Sequence, residues 1–427
     1  MKVAIVFMAA VCAAQPGPPA GESRLPEVRA KMGQAIKSLP DYLCLETTER
    51  LRASRANEKP HPLDTVELEV AHVGDKEMYS WPGRNMFAAA DLAKALPGGL
   101  VGTGGYASQM IGVLLGHTTQ FRFAGPQNLG PRATVRWDFT QPKDGGAWVV
   151  AAGRRSAQVG SEGSIWADPE TLLLVRLQAR ATEFPARFPI KSAARTIDYA
   201  LVRIGARDVL LPGAVEDVVE EAGGALNINR SRFGACREYS ATSELTFGEA
   251  PAQPAAAQPR ALPAALPPNV PIRLALDAHL RSAGAVIGAP VNAHVVSDVR
   301  HGGSVLVPKG TPVLGVLRQL TKTEGSFVVM IEFSELVLPG GTMPFRARLV
   351  SIDAPVSGLE WLVPGEADLM RRVHYGNGNI LDDVARRRQM KLDPVPGVAV
   401  LIVAGESFAL NPGMPMTWVT WDDARKP

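Results

Sequence analysis

Cys44 and Cys236 are the residues of this chain with the most definite chemistry open to them. A third cysteine, Cys12, lies in an N-terminal stretch that reads as removable. Lys2 supplies a positive start, Val3 to Val11 is a short apolar run, and Cys12-Ala13-Ala14 presents small residues for a signal peptidase before Gln15. Residues 1–14 are therefore expected to be a signal peptide cleaved near Ala14, too short to stay in a bilayer as a spanning helix. Val11 stands where a lipobox needs Gly, Ala or Ser, which argues against lipidation of Cys12. An exported, oxidising setting with two remaining cysteines favours a disulfide between Cys44 and Cys236 over two separately buried thiols. That bridge closes a loop of about 190 residues, worth roughly 5 kcal/mol at most in the chain-entropy model. With no histidine cluster beside them, the two thiols lack the spacing of a metal site.

Other candidate chemistry is thin. His294 and His301 flank a strand end, and the acidic pairs Glu220-Glu221 and Asp382-Asp383 are neighbours in sequence, the pattern of solvated residues. The run Pro97 to Gly105 is rich in glycine, yet it lacks the Gly-Lys-Ser/Thr of a phosphate loop and the preceding strand of a dinucleotide fingerprint. It reads as a hinge, with motion expected over Gly98 to Gly105. No Gly-x-Ser-x-Gly, Ser-x-x-Lys, His-Glu-x-x-His or Cys-x-x-Cys occurs. The expectation is a protein that is not an enzyme, with no catalytic, cofactor-binding or metal residues to name. Arg386, Arg387 and Arg388 form the densest basic run. They read as a solvated face, with a docking patch for an acidic partner or lipid headgroup as the alternative.

Lys plus Arg number 45 against 42 for Asp plus Glu, too even a balance for a nucleic-acid partner. The 41 glycines and 35 prolines suit many short strands and tight turns. Between Glu249 and Pro268 the sequence EAPAQPAAAQPRALPAALPP is a Pro/Ala-rich linker, a semi-rigid spacer of at most about 60 Å. It divides residues 22–248 from residues 269–427, read as two independent domains. The fold class expected is mostly β with a few helices: an antiparallel half-barrel, the linker, and a second small β-barrel.

In the first domain, Leu25, Val28, Met32, Ala35, Ile36 and Leu39 fall on one helical face that Pro40 ends. Strands are expected over Tyr42–Arg52, Thr65–Val73 and Lys76–Trp81, with a turn at Gly74-Asp75. Helices follow over Asn85–Leu96 and Tyr106–Leu115. Strands resume over Phe121–Phe123, Ala133–Phe139, Trp148–Gly153, Ser156–Trp166, Leu172–Thr182, Ala193–Ile204 and Arg230–Phe247. The leading helix, the meander with inserted helices, and Ser164-Ile165-Trp166-Ala167-Asp168-Pro169 followed by Leu172-Leu173-Leu174-Val175-Arg176-Leu177 resemble the lipoprotein-carrier fold of LolA-like carriers and RseB-like sensors. That resemblance implies an open half-barrel wrapped on a helix, with an apolar concavity for acyl chains.

In the second domain, strands are expected over Pro271–Leu276, Pro290–Val299, both sides of Lys309-Gly310, Phe327–Leu338 and Met343–Ile352, then Gly397–Ala404, Ser407–Leu410 and Met416–Trp421. Ile272 to Leu276, Gly288 with Val291-Asn292-Ala293, Val307-Pro308-Lys309-Gly310-Thr311 and Leu336-Val337-Leu338-Pro339-Gly340-Gly341 resemble the TrbI-like β-barrel of conjugal-transfer and type IV secretion channel subunits. In that family the barrel assembles into rings. A charged insertion over residues 353–396, helical in pattern at Ile380–Met390, departs from the family's apolar membrane segment.

Together these readings lead to an exported, non-enzymatic envelope protein with a binding or assembly role, in the periplasm or at the outer-membrane periphery of a Gram-negative-type bacterium. The expected partners are a lipid or lipoprotein for the first domain, and further copies or another envelope protein for the second. The alternatives are an oligomeric channel or secretion subunit and a hydrolase whose site forms only in the fold.

Overall fold

The structure, a computed structural model, describes residues 24–73, 76–83, 106–145, 148–152, 155–239, 265–323, 325–353, 359–362 and 396–421. The expected signal peptide, the turn expected at Gly74-Asp75, the helix expected over Asn85–Leu96, the hinge expected over Gly98 to Gly105, most of the expected linker, and Arg386, Arg387 and Arg388 lie outside the described residues.

Helix α1 (Leu25–Lys37) carries a proline in its first turn, where a missing N–H costs nothing, and stops short of Pro40. Strands β1 (Tyr42–Ala53), β2 (His61–Val73) and β3 (Lys76–Ser80) follow, then helix α2 (Tyr106–Leu114). Next come β4 (Gln120–Leu129), β5 (Arg132–Gln141), β6 (Val149–Ala152), β7 (Arg155–Gln158), β8 (Gly160–Ala167), β9 (Leu174–Thr182), β10 (Ile190–Ile204), β11 (Arg207–Glu221) and β12 (Leu226–Glu238). Ten of these form one antiparallel sheet in the order β3-β2-β1-β12-β11-β10-β9-β8-β5-β4. It is a curled half-barrel, and the helices lie in its hollow. Val28 and Met32 of α1 and Met110, Val113 and Leu114 of α2 pack on Trp137, Phe139, Ile165, Leu177 and Ile197. Each such side chain contributes roughly 1.5–3 kcal/mol by leaving water.

Two departures from the expected elements have local causes. Strand β11 is absent from the sequence reading, because Pro212-Gly213 in its middle reads as a breaker. The sheet absorbs the pair as a bulge: Asp198 faces Ala214 and Tyr199 faces Pro212, which leaves Gly213 over. The single strand expected over Ser156–Trp166 is instead two. Up to Gln158 the chain pairs with β6 in a separate hairpin, Val159 is buried, and from Gly160 it joins the main sheet.

Because β1 lies between β2 and β12, the first and last strands of the domain are neighbours. Leu43 faces Arg237 and Leu45 faces Gly234, so Cys236 falls in the irregular step beside Cys44. The two cysteines are joined in a disulfide.

The second unit comprises β13 (Pro271–Leu276), β14 (Leu280–Arg281), β15 (Ala293–Val295), β16 (Val299–His301), β17 (Ser304–Val307), β18 (Pro312–Thr323), β19 (Ser326–Leu338), β20 (Gly341–Pro344), β21 (Ala347–Ile352), β22 (Leu359–Leu362), β23 (Val398–Ala404), β24 (Ala409–Leu410) and β25 (Pro415–Thr420). Its main sheet runs β21-β25-β13-β15-β18-β19, with β20 returning onto β19. Since β20 leads directly into β21, the path closes into a barrel, and the amide of Phe345 donates to Ser334 O across the seam. Trp418, Phe333 and Phe345 meet edge to face in the interior, with ring centroids 5.4–6.4 Å apart.

The strand expected over Pro290–Val299 is broken into β15 and β16. The insertion expected to be charged and helical opens instead with a strand, β22, which extends the sheet beyond β23. The apolar content of Leu359, Trp361 and Leu362 accounts for that correction. The helical stretch expected at Ile380–Met390 lies outside the described residues.

Candidate binding recess

Along β10, residues 193, 195, 197 and 199 point into the hollow, as alternation requires. They divide it into two zones. Toward the disulfide the lining is apolar: Tyr42 and Cys44 from β1, Val70 from β2, Tyr199, Leu211 from β11, Phe233 from β12, and Met110 reaching down from α2. Leu39, Leu210 and Pro212 complete the walls, and Glu77 is the one acidic side chain among the described residues that line them. The enclosed cavity is about 20 Å³, room for about one water.

Two phenols mark this zone. Tyr42 stacks flat on His72, with centroids 5.1 Å apart. Tyr199 is buried, and its hydroxyl has no hydrogen-bond partner among the described residues. Burial pushes both phenols above their ordinary value, against the pull of the Arg195 guanidinium at Tyr199 and with the Glu77 carboxylate adding to it at both, so each stays a neutral donor. An unsatisfied buried hydroxyl costs about 1–3 kcal/mol. It is the feature of this hollow that most asks for a ligand.

Beyond Ile197 the lining turns polar in strict register. Arg195 faces Asp217, Asp217 faces Asn229, Asn229 faces Arg50, and Arg50 faces Asp64, a row across five strands. Arg195 donates to Asp217 at 2.5 and 2.9 Å, and Arg50 donates to Asp64 at 2.6 and 2.5 Å. Both are two-pronged pairs shielded from water, with only 2% of Arg50 and 8% of Asp217 exposed. Gln109 of α2 accepts from Arg195 at 3.4 Å, which ties the helix to the row.

The helices are pinned at their ends. Arg24 donates to Pro169 O at 2.7 Å, and Gln141 donates to Gly112 O at 2.7 Å. Asp168, the turn residue of the carrier-like motif, accepts the amides of Thr171 and Glu170 and an Arg132 guanidinium, which together hold its carboxyl down to about 2. The motif thus fixes a turn.

The other candidates from sequence do not gather at a site. His294 pairs with Asp277 at 2.6 Å near the surface, and His301 is exposed opposite Ser304. Glu220 binds Lys191, and Glu221 accepts from Asn227. Among the described residues no group of three metal-ligating side chains is found. No described helix is long and apolar enough to cross a membrane. Tyr199, Met110 and the polar row were not singled out from sequence. Alternation along β10 could have marked Arg195 and Tyr199, whereas Asp217 was lost with β11.

No protein-family model matches the chain, and no curated protein matches it. Solved structures do. ComB10 of the Com type IV secretion system of Helicobacter pylori aligns at 18% identity over 38% of this chain and 89% of its own, with a TM-score of 0.19. A LolA superfamily protein from Nitrosomonas europaea aligns at 9% identity over 51% of this chain and 94% of its own, with a TM-score of 0.26. A DUF1329 family protein from Desulfovibrio piger aligns at 12% identity over 53% and 96%, with a TM-score of 0.29. Both resemblances read from the sequence therefore have counterparts among solved structures. Scores this low say nothing of ligand or activity, which rest on the hollow itself.

Proposed function

We propose that this chain is an exported binding protein of the bacterial cell envelope that holds an apolar group, the acyl chain of a lipid or lipoprotein, in the hollow of its first sheet. The observation that carries the reading is the apolar recess under Met110, with the hydroxyl of Tyr199, unpartnered among the described residues, in its wall. Its chemistry is that of binding: the phenols are held neutral, and the charged side chains of the polar row are paired. At about 20 Å³ the recess is far below the roughly 300 Å³ of a small-molecule pocket, so a chain enters only as the elements that close the hollow, α2 among them, move apart. Met110 suits that movement, since an unbranched thioether repacks at little cost.

The test is native mass spectrometry of the mature protein extracted gently from an envelope fraction. A monomer carrying added mass in the lipid range, lost in Met110→Trp, supports the proposal. A bare monomer overturns it, and a bare ring-sized multimer favours the assembly reading of the second barrel.

A further inference from the structure

The first sheet has a defect on one edge. Strand β3 covers β2 only from Glu69 to Val73, so on the side away from β1 the half from His61 to Leu68 has no strand of the first domain beside it among the described residues. That bare edge is met from the other side of the linker. The amide of Ile287 donates to Thr65 O at 2.8 Å, the amide of Glu67 donates to Ile287 O at 2.7 Å, and Val66 and Ile287 form a parallel bridge. On its far side the same tripeptide is bonded to β18: the amide of Gly288 donates to Leu317 O at 2.8 Å, and that of Leu317 to Ala289 O at 3.0 Å. One short segment joins the sheet to the barrel.

The approach is too close for any residue but glycine. Gly288 has a φ of +98°, and a Cβ on it would stand 2.2 Å from Glu67 O and 3.0 Å from the Trp81 ring. Around it the side chains are apolar and shared: Ile287 and Leu320 from the barrel pack with Val66, Leu68, Val70, Tyr79 and Trp81 from the sheet. Arg318 of β18 lies over the Trp81 ring, 4.6 Å from its centroid. Val70 and Phe233 belong both to this cluster and to the wall of the recess. The contact therefore sits at the rim of the hollow.

We infer that the second domain docks on the first by strand addition, and that its Ile287 segment is a plug at the rim of the apolar recess. Main-chain bonds along a free edge give the attachment, as in the peptide modules that extend a partner's sheet. Ile287 and Leu320 add the apolar seal. The final clause rests on the proposed function; the dock itself does not.

The experiment uses the full-length, disulfide-bonded protein. Hydrogen exchange at the amides of Glu67 and Ile287 is compared between wild type, Gly288→Ala, which drives a Cβ into Glu67 O, and Trp81→Ala, made on the opposite domain. Uptake of the fluorophore N-phenyl-1-naphthylamine is timed in the same samples. The dock predicts that both amides are protected in wild type and exchange about tenfold faster or more in each variant, while the amides of β10 are unchanged. The plug predicts faster fluorophore uptake in both variants. Unprotected amides in wild type, or protection that neither variant alters, overturn the dock. Faster exchange with unchanged uptake overturns the plug alone. No fluorophore bound by any of the three overturns the apolar-ligand reading and with it the plug, and leaves the dock to the exchange data.

Discussion

Replacing Arg195 by Met tests the polar row most directly. The guanidinium holds Asp217 through two bonds at 2.5 and 2.9 Å, and the carboxylate is 8% exposed, so removing the cation leaves a charge in the hollow without its salt bridge. Breaking a buried pair from one side costs about 3–5 kcal/mol. Over a domain of this size that corresponds to a fall in melting temperature of roughly 6–20 °C. Asn229, across the strand from Asp217, cannot supply a charge in place of the arginine. The double variant Arg195→Met with Asp217→Leu removes both charges and fills the space with carbon, so it should regain most of the loss or exceed wild type. Urea unfolding followed by near-ultraviolet dichroism, with the disulfide intact, measures all three proteins. A single variant that costs less than about 1 kcal/mol, or a double variant as unstable as the single, refutes the reasoning.

Two further predictions follow from local geometry. The disulfide spans a sequence separation of 192, so Cys44→Ala with Cys236→Ala should lose up to about 5 kcal/mol; alkylation without reductant should label no thiol in the mature wild-type protein. Asp168 has its carboxyl lowered from 3.8 to about 2, so its contribution is complete above about pH 4 and fades as pH falls through about 2. Asp168→Asn should therefore cost about 1 kcal/mol at pH 7, and its melting temperature should converge on that of wild type as pH approaches 2.

Much of the fold was legible because strand alternation is a local property. Val135, Trp137 and Phe139 fall on the inward face of β5 as their spacing requires, and α1 ends where Pro40 demands. What was illegible depends on distant partners. Pro212-Gly213 breaks a strand by local rules, yet a 15-residue strand carries it as a bulge because β10 pairs on either side of it, while the pairing with β12 begins only at Ala214. The recess shares this limit. Tyr42 and Tyr199 are separated by more than a hundred residues and share a wall only because β1, β12, β11 and β10 lie side by side. Cysteine count is a global property that sequence does hold, and Cys44 and Cys236 could be paired by elimination.

The two sheets differ in how they deal with their edges, and that difference accounts for the contact between them. A barrel in which β19 and β25 are bridged by β20 and β21 has closed its seam, and β22 is left as the outer strand of the branch beyond β23. An open half-barrel has not, and exposed edges invite pairing with other chains. At one margin β4 carries Gly125 in a register shift, followed by Pro126, which spoils it as a template. At the other margin β3 covers only part of β2, and Ile287 bridges the uncovered part at Thr65 to Glu67, where Val66 is buried. The linker therefore has a structural consequence beyond spacing. It keeps within reach the one segment that completes the edge, and that segment falls beside the recess because β2 lies next to β1, whose Tyr42 and Cys44 line the apolar end of the hollow.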